Sequence, residues 1–288
     1  MSIHPSASVL EKERQAVVLG EAERQAVVLG ETEQPAGRGH WDAPTPTRPH
    51  RVYAALTNHC NRRCPWCSTC SSPEGETWLD PEKLWASLPA EGPYELQLEG
   101  GEPTLHPAFW SLVARARQDE RCRRVVLCTN GVVLPRTRGR LEAWVERLGV
   151  PVTLKLSWNH HVLERDPGLP ALAQALVEIM TRLGGERQFV LNVRLRRGAH
   201  EDDAWVTARA EAAGILGYAN VFYLQRYGFA SEEEGWEVPH LVGYDFRLIN
   251  PDGRVFGPAL VERSEAMRRL MDSTTRDAPP PTTNGVQG

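Results

Sequence analysis

Cys60, Cys64 and Cys67 form a Cys-x3-Cys-x2-Cys run, and Cys70 follows three residues later, so four of the chain's six cysteines fall within eleven residues. Three thiolates in one short loop can surround a single metal centre. Structural zinc takes four protein ligands, and Cys70 or His59 could supply the fourth. An iron–sulfur cluster takes one thiolate per iron, so three cysteines on a four-iron cluster leave one iron open. The spacing leaves both centres open; an open coordination position serves chemistry rather than scaffolding, which favours the cluster. A disulfide framework is not expected, because thiols this close cannot close long loops and a chain of 288 residues buries its own core. Cys122 and Cys128, in or beside an apolar run, read as ordinary buried residues.

Two further polar groups stand at comparable places. Glu99-Gly100-Gly101-Glu102-Pro103 ends one apolar stretch: the glycines permit close backbone approach and positive φ, Pro103 stiffens the next turn of chain, and Glu102 offers an acceptor for an ammonium group. Thr129-Asn130-Gly131 ends the next. Polar side chains at three successive strand ends make one constellation.

The elements that must carry them alternate. Apolar, β-branched stretches run over 51–57, 94–99, 123–129, 152–158, 188–195 and 220–227, and helical patterns separate them at 81–88, 107–118, 137–148, 169–183 and 201–213. Alternating strands and helices predict a parallel sheet with active residues at its C-terminal edge. Six units fit residues 51–228, leaving an open sheet or a partial barrel. Beyond them the pattern predicts a hairpin, Tyr244–Ile249 and Arg254–Phe256 around Asn-Pro-Asp-Gly, and a helix near 261–271, together a cap over 229–272.

The termini differ. The nonapeptide Glu-Arg-Gln-Ala-Val-Val-Leu-Gly-Glu occurs at Glu13–Glu21 and again at Glu23–Glu31; two copies read as a tandem duplication in an extension that, with the proline-rich linker at 34–50, makes residues 1–50 a flexible arm. Residues 273–288 read as a disordered tail. A net charge of −4 gives no reason to expect nucleic acid or an anionic membrane as partner. The lack of an 18-residue apolar run or a charged-then-apolar leader points to the cytoplasm. Only three of the 33 basic residues are lysines, a bias explained either by oxyanion recognition or by codon composition.

With these motifs the chain resembles the radical S-adenosylmethionine (radical SAM) superfamily, whose signature is a CxxxCxφC loop after the first strand, here with Trp66 as φ, and a GGEP-type motif after the second. The resemblance covers residues 51–228 and implies an α/β fold, a partial (βα)6 barrel. It implies a [4Fe-4S] cluster on Cys60, Cys64 and Cys67, with the amino and carboxylate groups of SAM on the fourth iron. Glu102 with Gly100, Gly101 and Pro103 would hold the methionyl ammonium, Trp66 would lie near the adenine, and Thr129 and Asn130 would reach the ribose. Ser157, Asn192 and Arg194 stand where relatives hold the ribose or the carboxylate. The reaction would be reductive cleavage of SAM to a 5′-deoxyadenosyl radical that abstracts hydrogen from a substrate, fed by an external one-electron reductant (flavodoxin or ferredoxin), with no side-chain acid or base assigned.

Departures narrow the subgroup. No cysteine comes after Cys128, so the auxiliary clusters of SPASM-type relatives are excluded on that side. The fourth strand reads Ser157-Trp158-Asn159-His160-His161 where many peptide-modifying relatives carry Ser-x-Asp-Gly; the two histidines read as a surface pair. Cys70 is not expected to ligate iron, since it would block SAM. The leading expectation is peptide or natural-product maturation. The alternatives are a small-molecule enzyme resembling the carboxy-deazaguanine synthases, whose loop continues with a polar pair as Ser68-Thr69 does here, and a zinc- or cluster-binding interaction module.

Overall fold

The computed structural model describes residues 49–196, 200–230, 246–257 and 260–277; the repeat, residues 34–48 of the linker, the loop around Glu232–Glu234 and residues 278–288 of the tail lie outside them, whereas 273–277, expected as tail, continue the last helix. Six parallel strands run in chain order: β1 (His50–Ala55), β2 (Tyr94–Glu99), β3 (Cys122–Thr129), β4 (Val152–Trp158), β5 (Arg187–Leu195) and β6 (Ala219–Tyr223). Helices alternate with them: α1 (Pro81–Ala86) after β1, α2 (Phe109–Gln118) after β2 and α3 (Arg138–Leu148) after β3. Then come α4 (His160–Arg165) and α5 (Leu169–Leu183) after β4, and α6 (Glu201–Ala212) after β5. A hairpin of β7 (Phe246–Ile249) and β8 (Val255–Phe256) precedes α7 (Leu260–Asp277).

The sheet order is β6-β5-β4-β3-β2-β1-β7-β8, with β6 and β8 at opposite ends, so the six units form an open partial barrel. Two expectations are corrected. The hairpin is not a separate cap: β7 pairs in parallel with β1, Tyr53 opposite Leu248, and only β8 turns back antiparallel. An uncovered β1 would present a row of unpaired backbone groups, a consequence of chain order that local patterning does not register. The two histidines are not a surface pair: they begin α4, His161 buried and His160 half-buried, and Asn159 starts the helix, its side chain accepting from Val162 N at 3.0 Å.

Alternation along the strands separates two faces. Val52, Ala54, Leu96, Leu98, Val125, Leu127, Leu154, Leu156, Trp158 and Leu191 are buried against Phe109, Leu112, Leu141, Val145, Leu172 and Leu176 of the helices. The opposite face carries Tyr53, Gln97, Glu99, Cys128, Lys155, Ser157, Asn192 and Arg194, all half-buried. The inside of the barrel is therefore polar, where a closed eight-stranded barrel fills with aliphatic layers. Cys128 belongs to this interior and not, as its apolar neighbours suggested, to the core. At the opposite edge of the sheet the arginines have structural work: Arg117 donates to the carbonyls of Leu148 and Pro151, and Arg121 to those of Pro89 and Ala90.

Candidate active site

β1 delivers the chain into a loop that doubles back on itself. Cys60 N donates to Ser72 O at 2.9 Å, Ser72 N to Asn58 O at 3.2 Å, and the buried Asn58 side chain accepts from Thr77 N at 2.8 Å. Within it, Cys67 Sγ accepts from Ser71 N at 3.3 Å and lies 3.4 Å from Thr69 Oγ1, and Cys60 Sγ accepts from Asn130 Nδ2 at 3.6 Å. Donors aimed at sulfur favour its anionic form and tune any iron it holds. Without a cation Cys60 and Cys64 keep their protons. Burial, then the neighbouring Cys67 sulfur, pushes Cys64 up to about 12 and Cys60 further in the same direction, so loading a metal releases protons. Among the described residues no three His, Cys, Asp or Glu side chains are already gathered around a single point.

The second and third strand ends lock onto this loop. Gly101 N donates to Thr57 O at 2.7 Å and Glu102 N to His59 O at 2.9 Å. A Cβ on Gly101 would sit 1.9 Å from His59 O, and one on Gly100, at φ +119°, 2.6 Å from Thr57 O. The close approach expected of the glycines is made to the backbone of the cysteine loop, one chain lying against the other. Glu102 is fully buried and caps the short turn of Pro103–Leu105. Its Oε1 accepts from Thr104 N, Thr104 Oγ1 and Thr129 Oγ1, and its Oε2 from Asn130 N at 2.9 Å. Burial raises its pKa and these donors oppose the rise. Most of its acceptor capacity is spent joining two strand ends. Asn130 also donates to Asn61 Oδ1 at 2.8 Å while its own Oδ1 accepts from Val132 N.

The other expected residues fall in two groups. Trp66 packs edge-on to His161, ring centroids 6.1 Å apart, and His161 is buried, with desolvation the first cause lowering its pKa. Ser157 and Asn192 are register partners on β4 and β5, and Arg194 donates to Asn192 Oδ1 at 3.2 Å; among the described residues none of the three is hydrogen-bonded to the cysteine or glycine loops. Cys70 is fully buried at φ +46° and packs with Ala55, Met267 and Met271, its thiol facing Ser264 O of α7.

α7 is the element that sequence reading undervalued. Ser264 Oγ accepts from Gly228 N at 2.6 Å, Arg268 donates to Gly228 O, and Phe229 N donates to Cys67 O at 3.1 Å, so the chain after β6 is pinned to the cysteine loop. Arg263 reaches into the barrel to Glu99 at 2.8 Å and Asn250 at 3.1 Å. Nothing in the pattern of an amphipathic helix marks which arginine turns inward.

The residues suit a cluster with a polar ligand beside it. Asn61 Nδ2, Arg62 Nε and His161 Nε2, all on or against the cysteine loop, are buried without a hydrogen-bond partner, a state native proteins keep rare unless something else satisfies it.

The sequence profile of the Radical SAM superfamily matches residues 55–153. A GTP 3′,8-cyclase of Chlorobaculum tepidum is 38% identical over 98 residues, 33% of this chain and 29% of that protein. One of Paenarthrobacter nicotinovorans is 25% identical over 245 residues, 76% of this chain and 64% of that protein. A molybdenum cofactor biosynthesis protein 1 of Bos taurus is 25% identical over 156 residues, 52% of this chain and 24% of that protein. The chain thus spans less than two thirds of the length of these relatives.

Proposed function

Since the chain belongs to the radical SAM superfamily, we propose that it is an enzyme of that class in which Cys60, Cys64 and Cys67 hold a [4Fe-4S] cluster and SAM occupies the remaining iron. One observation carries the reading: the Gly100–Glu102 and Thr129–Asn130 loops are hydrogen-bonded to each other and to the cysteine loop, which makes one polar pocket edge out of three strand ends. A cluster bound by Cys60, Cys64 and Cys67 would supply the one-electron chemistry for reductive cleavage of SAM and hydrogen abstraction from a substrate. This chain's part is to orient and shield. Donors from Ser71 and Asn130 hold the sulfurs. The backbone of the glycine loop and Glu102 would hold the SAM ammonium, and Trp66, packed against His161, would lie against the adenine. Cys70 takes no iron.

The substrate we infer is a small molecule bound in the polar barrel interior. Relatives named GTP 3′,8-cyclase support this over peptide maturation, and a purine nucleotide such as GTP is the first to test. An external one-electron reductant completes the system. Anaerobically reconstituted protein should be brown, hold about four irons per chain and release 5′-deoxyadenosine from SAM after reduction with dithionite. Cys64→Ala should lose both properties. A colourless protein with one stoichiometric zinc would overturn the reading.

A further inference from the structure

The edge of the sheet opposite the cysteine loop gathers three guanidinium groups around one turn of chain. Arg117, in the last turn of α2, donates to Leu148 O at 3.0 Å and to Pro151 O at 2.6 Å. Arg124, on β3, donates to Val152 O and Glu186 O, both at 3.3 Å. Arg187 opens β5 as the register partner of Val152 and donates to Gly184 O at 2.9 Å. Its head lies near the same turn, since a Cβ on Gly185 would meet Arg187 Nη1 at 3.4 Å and Val150 Cγ1 at 3.8 Å. Arg124 and Arg187 both help to depress the pKa of Arg117, desolvation being the first cause. Among the described residues one carboxylate answers them: Glu186, 65% exposed, meets Arg124 at 3.4 Å, and Arg117 and Arg187 have no acidic partner. The Cys122 thiol also acts on Arg117, but burial pushes it up to about 11, so it keeps its proton at neutral pH. Two donors are left over, Arg117 Nη2 and Arg187 Nε, both buried without a hydrogen-bond partner. Gathered like charges with buried donors to spare are a state that a bound oxyanion relieves.

We propose that Arg117, Arg124 and Arg187 form an oxyanion site, for phosphate or a phosphate ester, at the edge of the sheet away from the proposed catalytic centre. None of the three belongs to the cysteine, glycine or Asn130 loops, so the site stands apart from the SAM reading. Planar arginine forks match phosphate oxygens in paired bonds, and Arg117 Nη2 and Arg187 Nε supply donors that the backbone carbonyls leave unused. Glu186 is the built-in competitor. Its contact with Arg124 is long and mostly solvated, and such pairs are worth little, so a more highly charged anion displaces it. Glu186 and Val150, both exposed, are the side chains of this region that an entering ligand moves.

The test is calorimetric titration of the full-length, anaerobically reconstituted and unreduced protein with inorganic phosphate and with phenyl phosphate, at constant ionic strength. Wild type should bind phosphate saturably. Arg187→Gln and Arg117→Gln should each weaken that binding about tenfold or more. Glu186→Gln should tighten it about two- to fivefold, because the competing carboxylate is gone. The exposed control Arg138→Gln should leave it unchanged. Arg117 also holds two carbonyls, so iron content and urea midpoint are measured on every variant; should Arg117→Gln fail to fold, Arg187→Gln and Glu186→Gln carry the test. Phenyl phosphate bound as tightly as phosphate identifies an ester as the ligand class, and phosphate bound alone identifies the free ion. Absence of saturable binding in wild type overturns the proposal, as does an affinity unchanged in Arg187→Gln or not raised in Glu186→Gln. Failure of SAM cleavage by the reduced wild-type protein would refute the enzymatic reading alone, since the titration involves no turnover.

Discussion

Asn130 Nδ2 donates to Cys60 Sγ at 3.6 Å, so the end of β3 reaches a thiol on the loop after β1. The bond spans two strand positions, and Glu102, between them, holds Asn130 N at 2.9 Å. A donor to sulfur stabilises the more negative, reduced state of a cluster. Asn130→Leu should therefore lower the reduction potential of the reconstituted enzyme. A bond worth about 1 kcal/mol net corresponds to roughly 40 mV for one electron. Potentiometric titration monitored by electron paramagnetic resonance reads the shift; an unchanged or raised potential would show that the amide does not act on the cluster.

Two glycine substitutions should part company. In Gly101→Ala the new methyl meets His59 O at 1.9 Å, a backbone atom that cannot step aside, so the second strand end must lift from the cysteine loop. We expect a stability loss on the order of 2–3 kcal/mol and little iron after reconstitution. Gly139→Ala meets nothing within 4 Å in the first turn of α3 and should stabilise by about 0.5–1 kcal/mol. Urea midpoints with iron analysis decide both. An iron-replete Gly101→Ala protein of wild-type stability would refute the close-packing role of this glycine.

These cases show what sequence makes legible. The cysteine spacing, the Gly-Gly-Glu-Pro run and the strand–helix alternation are local, and β2, β4 and α5 fall where the pattern puts them: 94–99, 152–158 and 169–183. What escaped depends on partners distant in the chain. β7 joins β1 across almost two hundred residues, Arg263 turns inward because Glu99 and Asn250 wait there, and Cys128 faces the interior by strand parity rather than by its apolar neighbours. Boundaries failed where the chain leaves the sheet to serve the site, as in the sixth strand, which stops at Tyr223 so that Gly228 and Phe229 can dock on Cys67.

Cys70 and Cys64 lie in the same loop yet should behave oppositely. Cys70 packs with Met267 and Met271, its thiol facing Ser264 O of α7. Cys70→Ala should cost about 1 kcal/mol of stability and keep the full iron content that Cys64→Ala loses. Iron loss comparable to Cys64→Ala would make Cys70 a ligand.

Stability should fall on mild acidification. His106 and His161 both have folded-state pKa values below the ordinary 6.5, desolvation being the first cause in each. His106 is held with one ring nitrogen 3.0 Å from Leu79 O and the other accepting from Ala108 N at 3.1 Å, so protonation costs it an acceptor. Below 6.5 the unfolded chain binds protons that the native state refuses, so the stability these residues support at neutral pH is lost as pH drops from 6.5 to their depressed folded values. Urea midpoints of metal-free protein between pH 7 and 5 should decline, and less steeply in His106→Gln. Identical slopes would remove His106 from the account.

The Glu99–Arg263 pair tests whether α7 belongs to the barrel. Their side chains are only 17% and 7% exposed, so the 2.8 Å contact is largely shielded from solvent, and Arg263 also satisfies the buried Asn250. Arg263→Met strands a carboxylate and an amide in the barrel interior and should cost about 3–5 kcal/mol. Glu99→Gln removes the counter-charge but keeps an acceptor for the guanidinium, and should cost less. Because the Arg263→Met penalty comes from an uncompensated charge, adding Glu99→Gln to it should restore part of the loss. Urea titration of the four proteins gives the coupling directly. If the double variant is no more stable than Arg263→Met alone, the pair is uncoupled and α7 is held by the contacts of Ser264, Arg268 and Met267 instead.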